Sequence, residues 1–521
     1  MELIGAALNG RPDAPEALSN YGSVLRALGR FDEALAAYDK ALAINPGDTT
    51  ALNNRGVTLW ETKRLADALA SFDKILAINP NDSETLYNRG LTLWNMGRVA
   101  EALASYEGAL AIKPDHAQAL YNCSNTLRHL NRFEEALASY DKAIAIRPHH
   151  AEAQNNRGVT LWEMKRFDDA LTSYNSALAM NPNYAEAWNN RGLTLRSLKR
   201  AQEALASYER ALAINPNYAN ALRNLGSILC ECDRVEEGLA AFARHAEVAY
   251  GTSSGVIRSC DFITPRKAQH DREQRDYLAD GKSFDNDAVI DGIFCIAEGR
   301  RLATPAVNPD NAVVDIVTQW QRNGPQIVVI DNFLTNEALE GLRRFCWGST
   351  VWRKVYDDGY LGAVPEYGFA CPLLAQIANE LRATFPSIFG AHPLIYLWGF
   401  KYDSKLSGIS VHADQAAINV NFWITPDESN LDPECGGLVI WDVAAPLNWD
   451  FVKYNHDTAA IRQFLECSRA KPVTIPYRAN RAVIFDSDLF HETDKIVFKD
   501  GYLNRRINVT LLYGHRTVDE M

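Results

Sequence analysis

The first half of the chain repeats one pattern of apolar, small and proline residues every 34 positions. A short motif of the type Ala-Ile-Asn-Pro places a proline at the same point of successive repeats, at Pro46, Pro80, Pro114, Pro148, Pro182 and Pro216. Because proline stops a helix, each repeat is predicted to be a pair of helices that ends just before it. One such pair is too small to bury its own apolar face, so neighbouring pairs must stack into a continuous core.

Other positions of the repeat carry residues that suit closely packed helices. Small residues mark the first close contact, at Gly22, Gly56, Gly90, Ser124, Gly158, Gly192 and Gly226. Small residues also mark the second, at Ala34, Ala68, Ala102, Ala136, Ala170, Ala204 and Gly238. Over residues 13–250 the pattern resembles the tetratricopeptide repeat. The resemblance implies seven repeats in an all-α superhelix, with the first helix of each pair lining its concave face.

An asparagine recurs at one place on these first helices. The ladder consists of Asn20, Asn54, Asn88, Asn122, Asn156, Asn190 and Asn224. A carboxamide both donates and accepts hydrogen bonds, so it can pair with the backbone of an extended peptide whatever its side chains. The array is similar to the asparagine ladder of the O-linked N-acetylglucosamine transferases, which implies a peptide in the groove held by Asn54, Asn88, Asn122, Asn156, Asn190 and Asn224. Alternatively, each asparagine bonds the neighbouring repeat.

From residue 321 the pattern changes to short runs of β-branched and aromatic residues bounded by Gly, Pro, Asn or Asp. Several such strands without intervening helices are typical of a sandwich or a cupin-like jelly roll. We therefore divide the chain into a repeat array (1–250), a connecting segment (251–320) and a β-rich domain with flanking helices (321–521). The connecting segment contains one charged helix, in which His270 and Asp271 are interpreted as an ion-paired face rather than a metal pair.

The stretch "SVHADQAAINVNFWITP" places His412 and Asp414 two residues apart on an extended segment, so both side chains point to one face. His491, between two strand-like runs, is the best candidate for a third ligand, and His456 and His515 are alternatives. Two histidines and one carboxylate leave three positions open on an octahedral ion. This set is typical of non-haem Fe(II) oxygenases.

Arg506 opens the last strand fifteen residues after His491. Alternation puts it on one face with Asn508 and Thr510, while Arg505 is out of phase and is expected to face outward. A buried arginine is well suited to bind the distal carboxylate of 2-oxoglutarate.

Over residues 322–516 the order HxD, His, Arg-x-Asn-x-Thr resembles the Fe(II)/2-oxoglutarate-dependent dioxygenases. The resemblance implies a double-stranded β-helix, iron ligation by His412, Asp414 and His491, and 2-oxoglutarate and O₂ as cosubstrates. It also implies a cosubstrate site that includes Arg506, Tyr402, Asn421 and Thr510.

The sequence departs from several relatives in this family. Alkylation-repair oxygenases carry a second arginine six residues after the first, where this chain has Leu512. The aspartyl β-hydroxylase lacks the carboxylate ligand that Asp414 would provide, and collagen prolyl hydroxylases use a lysine where this chain has Arg506. The substrate of this chain therefore cannot be inferred from any one of these relatives.

The composition limits the classes of binding partner that the chain is expected to have. The chain has 521 residues, a formal net charge of −12 and a hydrophobic content of 47%. The acidic balance disfavours nucleic acid and anionic membranes as main partners. The nine cysteines form no CxxC pair, and the N-terminus lacks the features of a signal peptide. No apolar run approaches the ~20 residues of a membrane span. A cytoplasmic location is expected.

These features together predict a dioxygenase that hydroxylates a protein or peptide substrate delivered by the repeat groove. One alternative is a small-metabolite hydroxylase whose repeats serve for assembly. The other is a repeat scaffold that carries an inactive barrel.

Overall fold

The computed structural model describes residues 14–251, 264–280, 295–322, 324–356, 359–406 and 409–516. The chain divides into two compact units, Met1–Arg200 and Ala201–Met521. The predicted boundary at residue 250 therefore differs from this division by the helices of residues 201–250. The N-terminal 13 residues, on which the absence of a signal peptide was argued, and much of the connecting segment lie outside the described residues.

The described part of the first unit consists of helices joined in pairs. They are α1 (Pro15–Ala27), α2 (Phe31–Ile44), α3 (Thr49–Glu61), α4 (Leu65–Ile78), α5 (Ser83–Asn95), α6 (Val99–Ile112), α7 (Ala117–His129), α8 (Phe133–Ile146), α9 (Ala151–Glu163), α10 (Phe167–Met180) and α11 (Ala185–Ser197). Asp48 and Asp82 cap α3 and α5 by accepting hydrogen bonds from free backbone N–H groups. A Cβ at Gly56 would lie 2.7 Å from the Phe72 ring, so glycine is needed where the helices cross.

The second unit begins with three further helices, α12 (Ala201–Ile214), α13 (Ala219–Glu231) and α14 (Val235–Tyr250). On α14, Val235, Leu239 and Phe242 belong to the same apolar cluster as the core of the β-rich region. Ion pairs near the start of α14 join Asp233 to Arg382 and Glu236 to Arg301. The last repeat is therefore a structural part of the β-rich unit.

Two antiparallel sheets dominate this unit, with a two-stranded ribbon beside them. The strands are β1 (Ile327–Ile330), β2 (Lys354–Tyr356), β3 (Tyr360–Ala363), β4 (Leu394–Tyr402), β5 (Lys405–Leu406), β6 (Ile418–Trp423), β7 (Leu438–Ala444), β8 (Pro472–Ile475), β9 (Ala482–Asp486), β10 (Leu489–Thr493), β11 (Ile496–Val497) and β12 (Ile507–Tyr513). The large sheet has the order β1-β9-β6-β12-β4-β3-β2, the small sheet β10-β7-β8, and β11 pairs with β5.

Helices flank the sheets. They are α15 (Pro265–Asp280), α16 (Val313–Gln321), α17 (Asn336–Gly348), α18 (Pro372–Thr384), α19 (Pro386–Phe389), α20 (Phe451–Asn455) and α21 (Thr458–Cys467). Thr335 caps α17, since its hydroxyl accepts from the N–H of Ala338. In the described part of the chain, no helix is long and apolar enough to cross a bilayer.

The two faces of β12 have different environments, as the alternation predicts. Val509 and Leu511 lie in the apolar core between sheet and helices. Asn508 and Thr510 form hydrogen bonds on the opposite face, which we call the inner face. The expectation that Arg505 faces outward is wrong. It is buried rather than outward-facing, because it pairs with Glu273 of α15 and with Asp403.

The charged helix α15 is more deeply engaged than its sequence suggests. Asp271 forms an ion pair with Lys267, which confirms the interpretation of an ion-paired face. His270 itself is 1% exposed. Its Nε2 lies 3.4 Å from the Nζ of Lys401, and its Nδ1 lies 3.1 Å from Asp271 Oδ1. Lys401 Nζ also sits 3.9 Å from the ring centroid of Tyr502 and 4.8 Å from that of Trp352. A buried amine and a buried imidazole therefore fix α15 to the sheet.

This contact predicts acid sensitivity. Burial, with a smaller contribution from Lys401, lowers the pKa of His270 to about 3, and burial also lowers that of Lys401. The unfolded state then binds more protons than the native state, so stability is fully present above the ordinary histidine pKa and falls as the pH drops towards 3. Between pH 7 and pH 5 we expect a loss of about 2 kcal/mol. Thermal unfolding of the full chain should show this dependence flattened by His270→Gln, and an unchanged pH profile in that variant would contradict the assignment.

Candidate functional site

His412, Asp414 and His491 meet where the chain enters β6 and where β10 begins. The backbones of His412 and His491 form an isolated antiparallel bridge, with N–H to O distances of 3.0 Å and 2.8 Å. The Asp414 N–H donates to the carbonyl of Ser487 at 3.2 Å. Side chains opposite each other in such a bridge lie close together, and the two imidazole centroids are 4.5 Å apart.

The three side chains present ligand atoms to one point. His491 Nε2 is 3.4 Å from Asp414 Oδ2, and His412 Nε2 is 3.9 Å from Asp414 Oδ1. One atom from each residue lies within 4.8 Å of the others. Metal–ligand bonds of ~2.0–2.2 Å at right angles would place ligand atoms ~3 Å apart, so a small contraction would form one face of an octahedron. The alternative ligands His456 and His515 are not part of this group.

Hydrogen bonds orient the two imidazoles. His412 Nδ1 lies 2.8 Å from the carbonyl of Ser410, and His491 Nδ1 lies 3.1 Å from that of Leu489. Because a carbonyl only accepts, each Nδ1 carries the proton and each Nε2 keeps a free lone pair for a metal. Burial lowers the pKa of His412, which favours the neutral, ligating form.

Asp414 is kept ionised by its neighbours. Burial raises its pKa, but the interactions with His491, His412 and Asn419 together outweigh that effect, and the net shift is downward. Asn419 Nδ2 also donates to Asp414 Oδ2 at 2.6 Å. Sequence reasoning missed Asn419, although strand alternation places it on the same face of β6 as Asn421.

A chain of amides extends from Asp414 across the inner face. Asn421 Nδ2 donates to Asn419 Oδ1 at 2.7 Å, and Asn421 Oδ1 accepts from Asn508 at 2.6 Å and from Thr510 at 2.9 Å. The predicted lining residues Asn421 and Thr510 therefore bond to each other and act on the metal site through Asn419. Such outer partners fix the direction of a ligating carboxylate.

Arg506 lies on the same face and is completely buried. Its Nε donates to the carbonyl of Gly436 at 2.6 Å, and its guanidinium carbon lies 4.6 Å from the Tyr402 ring centroid. Tyr402 is close enough to influence the pKa of Arg506. Among the described residues, Arg506 Nη1 has no hydrogen-bond partner. Among the described residues no carboxylate lies within ion-pair distance of this guanidinium. Burial lowers the pKa of Arg506, and an incoming anion would relieve that cost.

In the first unit, the ladder asparagines bond to the preceding repeat. Asn88 Nδ2 donates to Asn53 Oδ1 at 3.3 Å, Asn122 Nδ2 to the Tyr87 hydroxyl at 3.2 Å, and Asn190 Nδ2 to Asn155 Oδ1 at 3.1 Å. Asn54 and Asn156 likewise donate to residues of the preceding repeat, Ser23 in one case and Tyr121 and Asn125 in the other. Each of these bonds uses an amide hydrogen of the ladder, and Asn156 donates twice.

Comparisons with known proteins address the repeats. Family models described as tetratricopeptide repeat match residues 13–81, 82–149 and 155–219. No curated protein matches the chain. Among solved structures, the chain is similar to YrrB, titled a TPR protein with an unusual peptide-binding site, at 25% identity and a TM-score of 0.33, covering 36% of this chain and 96% of that one.

Two further similarities are of the same kind. The protein MamA matches at 22% identity and a TM-score of 0.31, covering 32% of this chain and 96% of its own. A tetratricopeptide repeat protein from Parabacteroides merdae matches at 19% identity and a TM-score of 0.39, covering 46% and 94%. The family models, together with the observed helical pairs, establish that residues 13–219 are built of tetratricopeptide repeats.

Proposed function

We propose that the chain is an Fe(II)- and 2-oxoglutarate-dependent dioxygenase that hydroxylates a protein or peptide. One observation carries the proposal. A group of two histidines and one aspartate is linked through Asn419 and Asn421 to the face of β12 that also carries Arg506, a buried arginine that has no anionic partner among the described residues. The two antiparallel sheets that hold these residues are consistent with a jelly roll of the double-stranded β-helix type.

The donor set fits iron better than the common alternatives. Two imidazoles and one carboxylate with open positions suit non-haem Fe(II), whereas a closed site of four soft ligands would suit structural zinc. His412, Asp414 and His491 would hold the ion, and Asn419 would orient Asp414. When bound, iron with 2-oxoglutarate supplies the oxidation of a C–H bond by O₂, coupled to decarboxylation of the cosubstrate.

The protein's own residues bind and position the reactants. Arg506 would form charge-assisted hydrogen bonds to the distal carboxylate of 2-oxoglutarate, with Tyr402 beside it. Their burial excludes water from the cosubstrate, which strengthens these bonds. The Nε2 atoms of both imidazoles and the Asp414 carboxylate face one point, which leaves three donor atoms for a cation.

Arg506→Lys tests the cosubstrate assignment. A lysine keeps the charge but loses the planar fork, so the dissociation constant of 2-oxoglutarate should rise by about 10- to 100-fold. Arg505→Lys is the matched control, because it makes the same change one residue away on the opposite face and should leave that constant within about twofold. Anaerobic titration of the Fe(II) protein measures both. Equal 2-oxoglutarate affinities in the two variants would contradict the assignment of Arg506 to the cosubstrate site.

The peptide part of the proposal rests on the repeats. Tetratricopeptide repeats commonly bind proteins or peptides, and this chain carries an asparagine at the same position of all seven repeats. The observed bonds between repeats also favour a second candidate, in which the asparagines serve only the stacking of repeats and the enzyme acts on a small metabolite.

A further inference from the structure

Strand β4 lays four aromatic side chains on the inner face. Tyr396, Trp398 and Phe400 pair in register with Leu512, Thr510 and Asn508 of β12, and Tyr402 follows beside Arg506. We call Tyr396, Trp398, Phe400 and Tyr402 the aromatic row. Successive ring centroids along it are 5.8, 5.9 and 6.3 Å apart.

The outer part of this row is uncovered by the residues that the structure describes. β4 is an interior strand between β12 and β3, yet Tyr396, Trp398 and Phe400 remain half-buried. The indole Nε1 of Trp398 is buried and has no hydrogen-bond partner among these residues. Half-exposed aromatic faces in the middle of a sheet leave apolar surface against which a ligand can pack.

A carboxylate closes one end of the row. Glu366, in a short 3₁₀ helix (Pro365–Tyr367), accepts a hydrogen bond from the Tyr396 hydroxyl at 2.9 Å. It is half-buried, and in the described part of the chain it takes part in no ion pair. His245 is close enough to be affected electrostatically by Glu366, but burial lowers the pKa of that histidine and so favours its neutral form. No described lysine or arginine lies over the Tyr396 or Trp398 ring.

The row leads towards the metal-ligand group. Tyr396 pairs with Leu512, and Leu512 pairs with Asn419, which bonds Asp414. Two strand spacings separate Tyr396 from Asn419, which is roughly 10 Å. The Tyr396 end of the row therefore lies at the same level of the sheet as Asn419.

The neighbouring helix supports delivery of a peptide. α13, the first helix of the last repeat and the carrier of Asn224, packs against β4. The last repeat therefore lies beside the strand that bears the aromatic row.

Resting on the proposed function, we propose that the aromatic row and Glu366 bind the basic side chain, lysine or arginine, of the peptide to be hydroxylated. Aromatic faces attract ammonium and guanidinium groups, most strongly when these are desolvated. The carboxylate supplies the charge that an apolar side chain would not need. The net charge of −12 favours the approach of such a peptide.

Binding to the metal-free full-length protein tests this proposal without turnover. The probes are peptides Ala-Ala-X-Ala-Ala with X as lysine, arginine, norleucine or glutamine, measured by saturation-transfer NMR. At least one basic peptide should bind about tenfold more tightly than the norleucine peptide, and added salt should reduce that preference. Glu366→Gln should remove the preference and leave norleucine binding within about twofold.

Glu337→Gln is the matched control, since that glutamate also accepts from a hydroxyl, that of Thr304, but lies elsewhere. It should leave the preference for basic peptides intact. Trp398→Leu should weaken the basic peptides most. Equal or tighter binding of norleucine would overturn the proposal in favour of an apolar pocket, and the absence of saturable binding to folded protein would overturn it outright. The 2-oxoglutarate titration is separate, so failure here leaves the proposed function standing and failure there leaves the cation site standing.

Discussion

Replacing Asp414 with alanine is expected to reduce Fe(II) affinity by more than about 100-fold. Removing a residue that hydrogen-bonds a metal ligand typically lowers metal affinity by about 10- to 100-fold, and removing a ligand should lower it further. Asp414 supplies the only negative charge in the ligand group and lies within 4 Å of both imidazole Nε2 atoms. Anaerobic equilibrium dialysis of Fe(II) against parent and variant measures the change.

His456→Ala is the control for this experiment. His456 lies near enough to His412 to influence its pKa, yet it is exposed and outside the ligand group. Its removal should change Fe(II) affinity by less than about threefold, which is smaller than the loss expected for a residue that hydrogen-bonds a metal ligand. If the His456 variant loses iron while the Asp414 variant retains it, the ligand assignment is wrong.

Leu239→Ala should destabilise the β-rich unit by about 2–5 kcal/mol. Leu239 is 2% exposed and lies on α14 of the last repeat, within the apolar cluster that includes Val509 and Leu511 of β12. A cavity there removes contacts from the sheet that carries Arg506. Peptide-resolved hydrogen exchange of the full chain should show faster exchange in β4 and β12.

Leu171→Ala provides a closely matched comparison. Leu171 occupies the same position in an earlier repeat and is 8% exposed, but it belongs to the first unit. Its replacement should speed exchange in α9 and α10 and leave β4 and β12 protected. If both variants left the sheet equally protected, the last repeat would not be part of the β-rich unit.

The repeats and the ligand group were predictable because their signals are local. A 34-residue period fixes the helical pairs, and two histidines with a carboxylate on strand-like segments predict a shared face. Asn419 could have been found by the same alternation, since it stands two residues before Asn421 on β6.

Other features depend on contacts that are distant in sequence. Leu239 on α14 and Leu171 on α10 occupy the same place in the apolar pattern of their repeats. They differ in what packs against each, and the pattern does not show that. Arg505 is buried by Glu273, a residue 232 positions earlier in the chain. His270 meets Lys401 across 131 positions, and no periodicity records such a pairing.

An anaerobic visible spectrum tests the central claim most directly. Fe(II) and 2-oxoglutarate are added together to the purified protein, and the metal-to-ligand charge-transfer band of the chelated cosubstrate is recorded. The account predicts a band in the parent, its absence in His412→Ala, and a far higher 2-oxoglutarate requirement in Arg506→Ala. A folded parent protein that shows no band at saturating Fe(II) and 2-oxoglutarate would contradict the dioxygenase assignment.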